Sequence, residues 1–85
     1  MAHIRVKVLG EGQHPSEALV AIQTASGVEE NAIVDHRSID NNTIEVGYPV
    51  GSDNDRYLVE LPRETVNGQW RLWMKRSDVF DRVPA

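Results

Sequence analysis

The chain has no cysteine and few aromatic residues, and both shortages narrow what it can be. Its 85 residues include two Trp, two Tyr and one Phe. Without cysteine, neither disulfides nor thiolate zinc sites can stabilise the fold, which fits a reducing compartment. A chain this short predicts one small β domain over residues 1–85, with a core so small that stability is marginal unless the chain oligomerises.

The sequence also lacks any long hydrophobic run. No stretch approaches the ~20 apolar residues of a membrane span. The first residues, Met1–Arg5, do not follow the basic-then-apolar pattern of a signal peptide. We therefore expect a cytoplasmic protein that makes no membrane contact.

Positive charge is scarce in the first part of the chain. Residues 1–55 carry three basic and nine acidic residues, whereas residues 56–85 carry six basic and four acidic ones. The formal net charge of −4 argues against general binding to duplex DNA, which requires Lys and Arg to neutralise phosphates. The segregation marks the C-terminal part as a candidate partner surface, unless the opposite charges simply pair across neighbouring strands.

Short segments of alternating polar and apolar residues indicate an all-β fold. No internal repeat is evident. Glu17–Thr24 is ambiguous, since Ser16 could cap a short helix there, but its continuous apolar run favours a strand. The predicted strands are His3–Leu9, Glu17–Thr24, Ala32–Ile39, Thr43–Val50, Arg56–Leu61 and Gln69–Arg76.

The two predicted strands nearest the C-terminus form a hairpin, because Asn67-Gly68 is a strong turn signal. A two-residue turn would place Glu64 opposite Arg71 and Pro62 opposite Trp73. A wider loop of eight residues would instead place Glu60 opposite Arg71 and Leu58 opposite Trp73. Both registers keep the same side chains on each face, so in either case Arg71 meets a glutamate.

The strand Gln69–Arg76 has two different faces. Trp70, Leu72 and Met74 form one face, which is apolar and predicted to join the core. Arg71, Trp73 and Lys75 form the other, where a tryptophan lies between two cations. The core of so small a protein requires the other four aromatic residues, which leaves Trp73 as the one spare aromatic.

The order of elements in residues 43–83 resembles the C-terminal half of a Src-homology-3-like barrel. The resemblance rests on a long hairpin, the strand end Trp73-Met74-Lys75-Arg76, the turn Ser77-Asp78-Val79 and a closing apolar piece. It implies a small antiparallel barrel of five to six strands, with a short 3₁₀ turn near residues 77–80. No sequence family is indicated.

No cluster of residues in the sequence indicates catalysis. The three histidines are isolated from one another, and Asp35-His36-Arg37-Ser38 has triad residue types at spacings that are wrong on a strand. We therefore expect no enzymatic activity, no metal and no cofactor.

The remaining candidate is a non-enzymatic module that binds a protein partner or a second copy of itself. The predicted binding residues are Arg71, Trp73 and Lys75, with Arg56 and Leu58 on the paired strand. Binding of single-stranded nucleic acid on the same hairpin is the alternative, because an aromatic ring between cations is also a base-stacking platform.

Overall fold

A computed structural model describes residues 1–84, and this part of the chain is all-β. Two 3₁₀ turns interrupt the strands, at His36–Ser38 and Arg76–Asp78, and within the same range no helix is long and apolar enough to cross a membrane. The strands are β1 (Ala2–Arg5), β2 (Lys7–Glu11), β3 (Glu17–Gln23), β4 (Glu29–Asp35), β5 (Ile39–Asp40), β6 (Thr43–Val46), β7 (Gly51–Ser52), β8 (Arg56–Glu60), β9 (Arg71–Lys75) and β10 (Val79–Phe80).

These strands form three small antiparallel sheets. The first has the order β10-β1-β6-β5, the second β2-β3-β4 and the third β7-β8-β9. Every pairing within them is antiparallel. In residues 1–84 none of the three closes on itself as a barrel.

Several predicted strands are divided between sheets. The segment predicted as one strand, His3–Leu9, bends at buried Val6 and continues as β2 in a different sheet. Consequently Val8 is exposed, although its spacing from the buried Ile4 and Val6 would place it on the same face of a continuous strand. The ambiguous segment is a strand, β3. It lies between β2 and β4 and pairs with β4 along its whole length.

The turns follow from residues that tolerate left-handed backbone geometry. Asn41 and Asn42 have φ of 49° and 60° and connect β5 to β6 in a tight hairpin. The 3₁₀ turn expected near residues 77–80 lies slightly earlier, at Arg76–Asp78, and the chain then pairs with β1 through Val79–Phe80.

The core lies between the sheets and is built mainly of aliphatic side chains. Ile4, Ile22, Ile44 and Met74 are fully buried, and Tyr57 packs against them only partly buried. No aromatic residue of the described chain is fully buried. The prediction that four aromatics fill the core is therefore wrong, because β-branched and aliphatic residues supply that volume instead.

The wider of the two hairpin registers is the one adopted. Glu60 lies opposite Arg71 and Leu58 opposite Trp73, while Asn67-Gly68 lies in a separate tight turn at the end of the loop. Leu72 and Met74 are buried as predicted, but Trp70 is 53% exposed. Its assignment to the core is wrong because β9 begins at Arg71, so Trp70 belongs to the loop.

Candidate functional site

The five residues predicted to bind a partner lie together on the outward face of β8 and β9. Arg56 is paired with Lys75, Leu58 with Trp73, and Arg71 with Glu60. Alternation along the two strands turns Val59, Leu72 and Met74 inward. The face, defined here as Arg56, Leu58, Arg71, Trp73 and Lys75, is therefore one continuous patch, which we call the β8–β9 face.

Trp73 is the apolar centre of the β8–β9 face. Its side chain is partly buried, and the Arg56 guanidinium carbon lies 4.4 Å from the ring centroid. On the neighbouring strand Gly51 is paired with Leu58, and a methyl group at Gly51 would lie 4.0 Å from Trp73 Cη2. The lack of a side chain at Gly51 leaves the edge of the Leu58–Trp73 pair open.

The two arginines of this face are paired with neighbouring acids. Arg71 Nε donates to Glu60 Oε2 at 3.1 Å with both side chains at least half exposed, so the pair adds little stability. Arg56 Nε donates to Asp53 Oδ2 at 3.0 Å. That hydrogen bond lowers the pKa of Asp53 from its ordinary value and raises the pKa of Arg56.

A cleft of about 430 Å³ lies beside the β8–β9 face and collects positive charge. Three cations line it, together with Asp55. Arg76 is fixed there because its Nη1 donates to the Tyr57 hydroxyl at 2.9 Å and its Nη2 to the Asp53 carbonyl at 2.8 Å. The lining residues are Ala25, Asp55, Arg56, Lys75, Arg76 and Ser77.

Sequence reasoning missed a second surface, at Trp70. A groove of about 410 Å³ is lined by Ile33, Arg63, Glu64, Thr65, Val66 and Trp70. Val66 is 67% exposed and Trp70 53%, which is unusual for two neighbouring large apolar side chains. No signal in the sequence marked this surface, since both hairpin registers place Trp70 on the core face.

The remaining polar motifs have structural roles. In Asp35-His36-Arg37-Ser38 the aspartate caps a 3₁₀ turn, accepting from Arg37 N at 2.9 Å, while Ser38 Oγ donates to the Asp35 carbonyl at 2.6 Å. Contact with Arg37 lowers the pKa of Asp35. Across the described residues no three His, Asp or Glu side chains come together as metal ligands.

Comparison of the chain with protein-family models, with curated proteins and with solved structures gave no match. Function is therefore inferred from the geometry of the β8–β9 face and of the adjoining cleft.

Proposed function

We propose that this protein is a non-enzymatic interaction module that binds an acidic segment of a protein partner through the β8–β9 face. The observation that carries the proposal is the position of Trp73. It lies opposite Leu58, and its ring lies under Arg56, which lines the cationic cleft together with Lys75 and Arg76.

An apolar centre with a polar rim is the usual composition of a protein-binding patch, and Trp and Arg are enriched in such patches. Leu58 and Trp73 would receive an apolar side chain of the partner. Lys75 and Arg76 would receive carboxylates, since three of the four charged residues lining the cleft are basic. The hydrogen bonds that fix Arg76 reduce the entropy lost when it binds an anion.

Nucleic-acid binding is less well supported by the same geometry. A base-stacking platform needs an accessible aromatic face, whereas Arg56 covers one face of the Trp73 ring at 4.4 Å. Arg56 and Arg71 are each already paired with a carboxylate. A phosphate backbone would have to displace Asp53 and Glu60 from both.

The proposal also includes a fold relationship and a cellular setting. The order of β9, the 3₁₀ turn Arg76–Asp78 and β10 supports relating the fold to the Src-homology-3-like barrel. In that setting the outward side of a long hairpin is a natural place for a partner. The absence of cysteine supports a cytoplasmic setting.

The proposal is tested by mapping a peptide onto the protein by NMR. The probe is a hexapeptide of alternating Glu and Leu, titrated into ¹⁵N-labelled full-length protein. We expect chemical-shift changes at the Trp73 indole N–H and at the backbone of Lys75, and much smaller changes at the Trp70 indole. Changes confined to Trp70, or no change at millimolar peptide, would overturn the proposal.

Two controls test whether charge and position determine the response. A hexapeptide of alternating Lys and Leu has the same apolar content and should cause no shift at Trp73. Lys75→Glu should abolish the response to the acidic peptide, whereas Lys7→Glu, on the exposed strand β2, should leave it intact. If wild type sediments as a dimer that Trp73→Ala converts to a folded monomer, the occupant is a second copy instead.

A further inference from the structure

The two parts of the chain repeat the same order of elements. We call β1–β5 (residues 2–40) the first unit and β6–β10 (residues 43–80) the second. In each unit the fourth strand leads into a 3₁₀ turn and then into a two-residue strand. The two 3₁₀ turns, His36–Ser38 and Arg76–Asp78, begin 40 residues apart.

The registers of the first sheet obey the same spacing. Its order, β10-β1-β6-β5, places the first strands of the two units at the centre and the last strands at the edges. Ile4 lies opposite Ile44. Ile4 also pairs with Val79 as Ile44 pairs with Ile39. Adding 40 to Ile4 gives Ile44, and adding 40 to Ile39 gives Val79, so the two edge pairings are equivalent. This is the relation that a two-fold axis through the Ile4–Ile44 pair produces.

The hairpin turns of the two units are also alike. Gly27 N donates to the Thr24 carbonyl at 3.0 Å, and Gly68 N to the Thr65 carbonyl at 2.8 Å. The glycines have φ of 89° and 83°, and both threonines are buried. The turn sequences, Thr-Ala-Ser-Gly and Thr-Val-Asn-Gly, share the residues that this geometry requires.

Each unit completes the other across the axis. The Ala25 N–H, in the hairpin turn of the first unit, donates to the Trp73 carbonyl on β9 at 2.8 Å. In the other direction, the Val66 N–H of the second unit donates to the Asn31 carbonyl on β4 at 2.7 Å, two residues before Ile33, which is the position that matches Trp73. The two hairpin tips are thus exchanged between the units, and each satisfies backbone groups on an outer strand of the other.

Sequence similarity between the units is confined to buried and turn positions. Ile4 and Val6 recur as Ile44 and Val46, all four buried. Exposed positions have diverged, for example Arg5 against Glu45. That pattern explains why the repeat was not evident in the sequence.

We infer that the chain is a fused pair of copies of one folding unit, and that the surface between the units can bind the matching unit of a second copy of this chain. An exchanged dimer would make the same contacts between chains that the monomer makes within one. Only the connection Asp40–Thr43 would differ. Such exchange is a low-cost route to dimers when the hinge is short.

The hinge is a defined point. The turn consists of Asn41 and Asn42 alone, both with positive φ, and Thr43 Oγ1 donates to the Asp40 carbonyl at 2.7 Å. If these two residues are deleted, no residue remains to reverse the chain between β5 and β6. The second unit can then reach a first unit only in another molecule. Ala25 of the first unit lines the cleft beside the β8–β9 face, but an exchanged dimer would remake that contact between chains, so exchange does not depend on the proposed function.

The experiment measures the oligomeric state of the full chain from which Asn41 and Asn42 have been deleted. Light scattering after gel filtration should give twice the monomer mass, with the circular dichroism spectrum of the wild type. The matched control inserts two glycines between Asn41 and Asn42, which lengthens the hinge and should leave a monomer. A folded monomer or an unfolded chain from the deletion would overturn the exchange.

A circular permutant tests the equivalence of the units independently. Phe80 lies opposite His3, as Asp40 lies opposite Thr43, so a short Gly-Ser linker can connect Phe80 to His3 in place of the residues outside β1 and β10. Opened between Asn41 and Asn42, the permutant should fold as a monomer with one cooperative unfolding transition. An unfolded permutant would show that the two connections are not equivalent and would overturn the inference.

Discussion

The guanidinium of Arg56 lies over the indole of Trp73, 4.4 Å from the ring centroid, while its Nε donates to Asp53 Oδ2. One arginine thus links the polar loop after β7 to the apolar centre of the β8–β9 face. The hydrogen bond to Asp53 lowers the pKa of that carboxyl group, which gives the Arg56–Asp53 pair a measurable dependence on pH.

Replacing Arg56 should change the titration of Asp53. The hydrogen bond from Arg56 lowers the pKa of Asp53 in the folded state, so the pair stabilises the fold above the unfolded-state pKa and loses that contribution as pH falls through the folded one. In Arg56→Gln the pKa of Asp53 should rise towards its ordinary value, and the acid sensitivity of unfolding should decrease. Carboxyl ¹³C titration measures the first effect and urea unfolding at two pH values the second.

Arg37→Gln is the control for that experiment, since Arg37 pairs with Asp35 at a different place. The backbone N–H of residue 37, the larger cause of the lowered pKa of Asp35, remains in this variant, so the pKa of Asp35 should rise only in part and that of Asp53 should not change. An unchanged Asp53 titration in Arg56→Gln would contradict the assigned contact.

The buried hydroxyl of Thr65 should matter more than its methyl group. Thr65 Oγ1 donates to Glu30 Oε1 at 2.9 Å and accepts from Gln69 N at 3.1 Å, with Thr65 and Glu30 both buried. Thr65→Val leaves the buried acceptor without a donor, which costs about 1–3 kcal/mol. Thr65→Ser keeps the hydroxyl, so in chemical denaturation it should lose clearly less stability than Thr65→Val; equal losses would contradict the role of this bond.

Truncation of Met74 should lower stability more than truncation of Trp70, although tryptophan is the larger residue. Met74 is fully buried, and Met74→Ala should lower the free energy of unfolding by about 2–5 kcal/mol. Trp70 is 53% exposed, so Trp70→Ala should cost less than about 1 kcal/mol. Urea denaturation of both variants measures the difference, and a larger loss for Trp70→Ala would place that ring in the core.

The equivalent glycines of the two hairpin turns should respond alike to alanine. At φ of 89° and 83° for Gly27 and Gly68, a side chain costs about 1–2 kcal/mol. Gly47 is the control, since its φ is not positive and a Cβ there would meet nothing within 4 Å. Gly47→Ala should change thermal stability little, whereas a similarly small effect of Gly27→Ala or Gly68→Ala would argue against equivalent turns.

Period-two alternation predicted the all-β class and the inward faces of β8 and β9 correctly, and a continuous apolar run predicted β3, because those segments pair with neighbours along their length. It failed where the chain leaves a sheet. Val6 and the 3₁₀ turn at His36–Ser38 divide predicted strands, since the pattern of Ile4, Val6 and Val8 reads as continuous whether or not the backbone bends.

The sequence predicted which residues form the β8–β9 face, but not the contacts that the surrounding loops make with them. Which side chains share a face of the strand does not depend on the hairpin register, so the sequence alone placed Arg71, Trp73 and Lys75 together. The position of Arg56 over Trp73 and the cleft at Arg76 depend on the loop conformation around Asp53. Trp70 was wrongly assigned to the core because β9 begins one residue later, at Arg71, so the alternation of the strand does not extend to Trp70.

The central claim, that Trp73 and the adjacent cations bind an acidic segment, is tested most directly by fluorescence. In Trp70→Phe, Trp73 is the one remaining tryptophan, so its emission reports on the β8–β9 face alone. Titration with the hexapeptide of alternating Glu and Leu should change that emission saturably, more weakly at high salt, and not at all when Lys75→Glu is added. No change up to millimolar peptide, or a change that Lys75→Glu leaves intact, would contradict the claim.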